Sequence, residues 1–347
     1  MRICVFSERL QRPYDEGIKN VAVSLSWALS AEHNVLLLTS GGRDDAECNV
    51  QNLDVNRLLL DVRLGVLVWR FRPQAIIYVP TACGTVFSFL RASVLRFYGQ
   101  RASTILVTLQ PRAYTAWGKW LVSHLAPNWV LAQSMRTVKQ MQEMRCHAML
   151  LPPAVDTQRF LPALPAEKVM LRRKYGIPDV ATVIAHVGHL KGKRNISQFV
   201  TLQKTGHYHT VVVTSTSTEQ DSALKEALRR AGGTIIDTYV PNIEDVYRLA
   251  DVYLFLAEEE TAAIELPLSV LEAMSCNLPV VTTPFGGLPD FFAEGHGLLY
   301  WRGEMPIANR IEAALSMPSA TRTLVEPYTW AAAAQALVRL LQEQRSR

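Results

Sequence analysis

Cysteine is scarce and unpaired in this chain of 347 residues. The five cysteines (Cys4, Cys48, Cys83, Cys146 and Cys276) are odd in number, widely spaced and form no CxxC pair. That excludes a disulfide framework and a zinc site of the usual spacing, and it points to reduced, mostly buried thiols. Long hydrophobic runs are also missing. The longest uncharged stretch, PQAIIYVPTACGTVFSFL (73–90), is broken by Pro80, Thr81 and Gly84. It fits a buried strand followed by a helix better than a membrane span. The start, MRICVFSERL, has too short an apolar run for a secretory leader before Glu8 and Arg9 end it, so a cytoplasmic location is expected. The arginines form no dense run or recognisable binding motif, which speaks against a nucleic-acid partner.

The composition that remains is globular, with 49% hydrophobic and 19% charged residues. The length exceeds one typical core and implies two domains. Charge divides unevenly. The first 150 residues hold 17 Lys and Arg against 10 Asp and Glu, and the remainder holds 19 against 21. A basic first half suits an anionic partner or an anionic membrane surface, and equally suits scattered solubilising arginines.

Short β-branched runs alternate with helical periods along the whole chain. Strands are expected at 2–7, 34–39, 75–80, 103–109, 129–134 and 148–153, with helices near 18–31, 59–71, 84–98, 114–125 and 135–144. The segment PPAVDTQRFLPALPAEK (152–168) carries four prolines and reads as a linker. The alternation then restarts, with strands at 182–188, 209–215, 233–238, 252–257, 279–283 and 297–301 and helices including 219–231, 243–250, 267–276 and 330–344. Strands separated by helices of this length imply right-handed crossovers and parallel sheets. The expected fold class is α/β, with two doubly wound domains and a ligand in the cleft at their strand ends. The domain boundaries are 1–155 and 156–328, with a closing helix over 329–347 that crosses back onto the first domain.

The densest stretch of chemistry is AAIELPLSVLEAMSCNLPVVTTPFGGLPD (262–290). Pro267 suits the first turn of a helix, and Asn277 its far cap. The start of that helix, near Leu266–Ser269, offers free N–H groups and a positive dipole end to a phosphate. Glu272 lies about a turn and a half further in, where it can accept hydrogen bonds from the paired hydroxyls of a ribose. Gly286 and Gly287 permit positive φ or a close approach of ligand to backbone. Upstream, HVGHLKGKRNIS (186–197) places Lys191, Lys193 and Arg194 after a strand ending in Gly188. Cations there can neutralise a departing diphosphate. Each piece alone is ordinary: a glutamate on a helix is usually solvated, a Gly-Gly turn is usually a turn, and a basic loop is usually a basic loop. One ligand fits all of them together, a nucleoside diphosphate carrying a sugar.

PYDEGIKN, LLPPAVDTQRF, VGHLKGKRN, EDVYRLADVYLFLA, ELPLSVLEAMSCNLPVVTTPFGGLPD and EPYTW span nearly the whole chain. Through them it resembles the retaining nucleotide-sugar glycosyltransferases of the GT-B type, glycosyltransferase family 4 (glycosyl transferases group 1). The resemblance implies two Rossmann-like domains facing a deep interdomain cleft. It implies that Glu272 binds the ribose, that Arg194 clamps the diphosphate, and that His189 stands where an arginine is usual, with Lys193 a close substitute. Gly17 matches the glycine turn that meets the diphosphate from the opposite domain, and Gly286 and Gly287 flank the transferred sugar. Gly188, Val240, Leu266, Leu268 and Ser269 complete the donor side. Three positions depart from the pattern. The residue eight before Glu272 is Ile264, so Glu265 gives only Glu-x6-Glu. Glu265 fills the role of the first glutamate, or the run Glu258–Glu260 does, or the role is lost. A single Gly17 replaces a glycine pair, and Gln110 stands where a histidine is common.

The activity implied is a hexosyltransferase that retains anomeric configuration and moves sugar from a UDP- or GDP-sugar to a glycan or glycolipid acceptor. Catalysis would come from Glu265, Lys193 and Arg194. No cofactor or metal is expected, since cations and helix dipoles meet the leaving charge and no Asp-x-Asp motif is present. The alternatives are a nucleotide-sugar epimerase of the same architecture and a non-catalytic glycosyltransferase-like subunit. A peripheral position on the inner face of the cell membrane is expected through Arg63, Arg70, Arg72, Arg91 and Arg96, with Trp69 and Phe71 beside them.

Overall fold

Runs such as RICVFS and TVIAHVG are apolar on both pleat faces, and a strand of that kind is stable only between two layers of helix. The computed structural model describes every residue except 57, 191, 216–219 and 346–347, and it shows this arrangement twice. One unit comprises Met1–Pro152 with Trp330–Arg347, and the other Pro153–Thr329.

The first unit contains β1 (Arg2–Ser7), α1 (Gly17–Ser30), β2 (Asn34–Thr39), β3 (Val50–Asn52), α2 (Val62–Phe71) and β4 (Ala75–Tyr78). It continues through α3 (Val86–Gly99), β5 (Ser103–Thr108), α4 (Ala116–Leu125), β6 (Trp129–Ala132), α5 (Met135–Glu143) and β7 (Ala148–Leu150). Its seven strands run in the order β3-β2-β1-β4-β5-β6-β7, every pair parallel. Residues of α2, α3, α4 and α5 share one core cluster with Cys4, Phe6, Ile76 and Tyr78, so these four helices cover one face of the sheet. Right-handed crossovers place α1 on the other face.

The second unit contains α6 (Pro165–Lys174), β8 (Thr182–Gly188), α7 (Ser197–Lys204), β9 (Tyr208–Thr214), α8 (Ser222–Arg230), β10 (Thr234–Ile236) and α9 (Glu244–Leu249). After these come β11 (Val252–Phe255), α10 (Leu268–Ser275), β12 (Val280–Thr282), α11 (Leu288–Phe291), β13 (Leu298–Tyr300), α12 (Ile307–Leu315) and α13 (Thr321–Val325). Six strands run in the order β10-β9-β8-β11-β12-β13, all parallel. The last helix, α14 (Trp330–Arg345), packs against α1 and completes the first unit.

The differences from the sequence reading have local causes. The proline-rich stretch is not a loose linker. Val155 and Phe160 are buried in the second unit's core, and Arg322 donates to the carbonyls of Thr157 and Phe160 at 3.0 Å each. Pro165 opens α6 at its first turn, a place a proline tolerates well. The helix expected from 59 starts at Val62, because Asp61 caps it through the Arg63 N–H. β3 escaped notice because three residues carry no readable period. The start proposed for α8, residue 219, lies outside the described residues, as do residues 346–347 of the closing helix. Four of the five thiols are buried and all five are free, as the spacing suggested.

Candidate functional site

In the second sheet the strand order turns back beside β8, which has β9 on one side and β11 on the other. In a doubly wound sheet such a reversal opens a crevice at the carboxyl ends of the two diverging strands. β8 ends there at Gly188, whose φ is +150°. A Cβ at this position would lie 1.9 Å from Arg194 Nη1 and 3.6 Å from His186 Nε2. The glycine is therefore required for the guanidinium to lie against the strand end. Arg194 is only 5% exposed. Its Nε and Nη2 donate to the carbonyl of Ala262 at 3.2 and 2.9 Å, and its guanidinium lies 5.6 Å from the centre of the Phe255 ring. Burial pulls its pKa down to about 10. Among the described residues no carboxylate pairs with it. A buried cation without a counter-charge costs several kcal/mol, so an anionic ligand would gain strongly here.

The sequence reading passed over His186. Its Nδ1 lies 3.0 Å from the Leu254 carbonyl, which can only accept, so Nδ1 carries the proton and Nε2 offers a lone pair. That Nε2 is buried and makes no hydrogen bond among the described residues. Burial and the charge of Arg194 hold the ring neutral, with its pKa pulled down to about 3. The signal available was a lone polar residue within the apolar run TVIAHVG.

The loop after β8 is tied to the loop after β11. Lys193 pairs with Glu259 at 2.5 Å, and Asn195 Nδ2 donates to Glu258 at 2.8 Å. The acidic run proposed as a substitute for the first glutamate thus binds the basic loop in this state, and Lys193 is not a free cation. Lys191 lies outside the described residues. His189 follows Gly188 and is half-buried.

Glu265 is buried, and its backbone is where the Gly-Gly turn closes. Gly287 N–H donates to the Glu265 carbonyl at 2.8 Å. Gly286, at φ +56°, approaches so closely that a Cβ would sit 2.2 Å from that same oxygen. Both properties demand glycine. Pro267 is the N-cap and not the first helical residue, and among the described residues it leaves the N–H groups that follow without a side-chain cap. Leu266 is fully buried by its side chain, so it offers a ligand only backbone. Leu268 and Ser269 open the helix half-buried. Asn277 sits just past the helix at φ +59°, as its capping role requires.

Glu272 accepts a 2.6 Å hydrogen bond from the Tyr247 hydroxyl, a partner the sequence did not suggest. Burial raises its pKa to about 7, against the opposing effect of that bond. Val240 lies between β10 and α9 and packs against the second unit's core. Gly17 belongs to the first unit, where it is the first residue of α1.

Residues 181–343 match the family model described as Glycosyl transferases group 1. The match begins one residue before β8 and ends within α14. Mannosylfructose-phosphate synthase of Agrobacterium fabrum is 26% identical over 175 residues, 45% of this chain and 37% of that protein. D-inositol 3-phosphate glycosyltransferase of Corynebacterium jeikeium is 25% identical over 224 residues, 57% of this chain and 52% of that protein. The chain thus spans about half or less of the length of these relatives. Among solved structures, Anabaena HepE in complex with UDP superposes with a TM-score of 0.77 at 14% identity, covering 99% of this chain and 100% of HepE. HepE has also been solved with UDP-glucose. The likeness establishes the fold, two Rossmann-like domains of the kind found in GT-B glycosyltransferases.

Proposed function

We propose that the protein transfers a hexose from a UDP- or GDP-sugar to a hydroxyl of a glycan or glycolipid, with retention at the anomeric carbon. The carrying observation is Arg194, a buried guanidinium with no carboxylate partner among the described residues, held against Gly188 at the point where the second sheet reverses. A diphosphate supplies the missing charge, and the uncapped start of α10 adds N–H donors. Glu272 takes the ribose hydroxyls, and the turn at Gly286–Gly287 with the Glu265 backbone borders the sugar. Lys193 joins only if it exchanges Glu259 for phosphate.

In the reaction the bond from anomeric carbon to phosphate oxygen breaks, and the diphosphate leaves with the electron pair. The acceptor oxygen bonds to the same face of that carbon, and its proton passes to the leaving phosphate oxygen. Nothing is oxidised or reduced. Side-chain cations and backbone dipoles meet the developing charge, so the reading requires no metal. Neither the epimerase nor the non-catalytic alternative is favoured by the comparisons. On this reading a glycolipid acceptor would be met at the inner face of the cell membrane.

A thermal-shift screen across UDP- and GDP-sugars should raise the melting temperature with one donor class, since a ligand that binds only the folded state stabilises it. Calorimetry with that donor should show binding by the wild type and its loss in Arg194→Ala. Absence of a shift with every nucleotide-sugar, or full affinity in Arg194→Ala, would rule the reading out.

A further inference from the structure

In the first unit α2, α3 and α4 lie side by side over one sheet face. The Tyr98 hydroxyl of α3 accepts from Asp61 N–H at the head of α2, and Ser93 of α3 donates to the Leu125 carbonyl of α4 at 3.0 Å. Their inner residues, among them Val68, Phe89 and Val122, are core. A surface helix normally turns polar residues outward. Here the outward rows are apolar. On α2 they are Val62, Val66 and Trp69, spaced i, i+4, i+7 and all exposed. Phe87 and Phe97 stand out from α3, the latter 78% exposed. Trp117 and Trp120 stand out from α4, their ring centres 4.8 Å apart. Single exposed apolar side chains are commonplace, but three adjacent helices that all expose them form a patch that needs a partner.

The charges name the partner. None of the three helices contains an aspartate or glutamate, while together they carry Arg63, Arg70, Arg91, Arg96 and Lys119. Arg91, expected at the membrane, instead pairs with Glu8 at 3.0 Å and is nearly buried. Arg63 is offset by Asp61. Arg70, Arg96 and Lys119 remain exposed around the aromatic rows. A second copy of the chain is a poor occupant, because a two-fold contact would set these cations against themselves. Tryptophans with cations and no carboxylates suit the headgroup region of an anionic bilayer, where amphipathic rings settle and lysine and arginine meet lipid phosphate. No helix among the described residues is long and apolar enough to cross a membrane, so the contact is in-plane.

We infer that the α2–α3–α4 face is an interfacial docking surface for an anionic phospholipid bilayer. It extends the acceptor side of the proposed function but uses none of the donor-site residues, so either can fail without the other.

Co-sedimentation tests it, using vesicles of phosphatidylcholine with and without about one third phosphatidylglycerol. The protein is expected to bind the anionic vesicles, and added salt should weaken this. Trp117→Ser with Trp120→Ser should lower apparent lipid affinity about tenfold or more, and Arg70→Glu with Lys119→Glu should remove the preference for anionic lipid. Circular dichroism and the thermal unfolding transition should match the wild type in these variants, which shows that they are folded. If they do not fold, quenching of wild-type tryptophan fluorescence by bromolipid vesicles replaces them. Equal sedimentation with and without anionic lipid, wild-type binding by the variants, no quenching, or a dimer that the tryptophan substitutions dissolve would each overturn the inference.

Discussion

At the carboxyl end of β1, Glu8 accepts hydrogen bonds from the Tyr78 hydroxyl, from the backbone and hydroxyl of Thr81 at 2.7 and 3.1 Å, and from Arg91 at 3.0 Å. At the corresponding end of β8, Arg194 has a backbone carbonyl and an aromatic ring but no carboxylate among the described residues. The first unit closes its buried charge with its own side chains. The second leaves a charge of opposite sign open. Desolvating an ion is expensive in both places, and hydrogen bonds and a counter-ion recover that cost only at Glu8. The unit with the open charge is the one able to gain most from an anionic ligand.

The sharpest way to break this contrast is Arg194→Ala, expected to cost about 4 kcal/mol of donor affinity by calorimetry, because it strips one partner from a desolvated charge pair. Unchanged affinity would show that this open charge is not what holds the diphosphate. Next, Gly286→Ala should lower stability by about 3 kcal/mol in urea unfolding, since positive φ and a backbone clash act together. Gly192, where an added methyl group would meet nothing within 4 Å and φ is not positive, is the matched control and should accept alanine almost freely. A smaller effect is expected for Glu8→Gln, about 2 kcal/mol of stability with donor affinity unaltered, because that carboxylate serves the fold. Loss of donor binding in this variant would erase the distinction between the units.

The mildest effect is a pH dependence. The Glu272 carboxyl titrates at about 7 in the folded protein, above its ordinary value of 4.5. A raised acid pKa means the folded state holds the extra proton, so stability falls as pH rises from about 4.5 to about 7 and then levels off. Ribose hydroxyls bind better to the carboxylate, so donor affinity should rise over the upper part of that window. A change of about tenfold between pH 6 and pH 8 is expected, absent in Glu272→Gln. The diphosphate of a sugar nucleotide carries no proton that titrates there, so a flat wild-type profile would separate Glu272 from the ribose.

Much of the second unit's candidate site was readable because close backbone approaches demand one residue type. Gly188, Gly286 and Gly287 stand in sequence where the chain must pass a guanidinium or a carbonyl, and no other residue fits the first two. Buried strands such as 182–188 were equally plain, as continuous apolar runs. What stayed hidden depends on pairs far apart in the chain. Tyr247 with Glu272 and Lys193 with Glu259 are set by tertiary packing, and no local period encodes them. The apolar outer row of α4 was hidden for another reason. Nothing in the sequence sets Trp117 and Trp120 apart from core residues until the opposite side of the same helix is seen to hold Val122.

The first unit is assembled from two stretches of chain, with the whole of the second inserted before α14 comes back to α1. On the ribosome this fixes an order of events. The Pro153–Thr329 lobe can mature while its neighbour still waits for a final helix, and the face of α1 against which that helix packs must stay out of trouble until translation has passed Thr329.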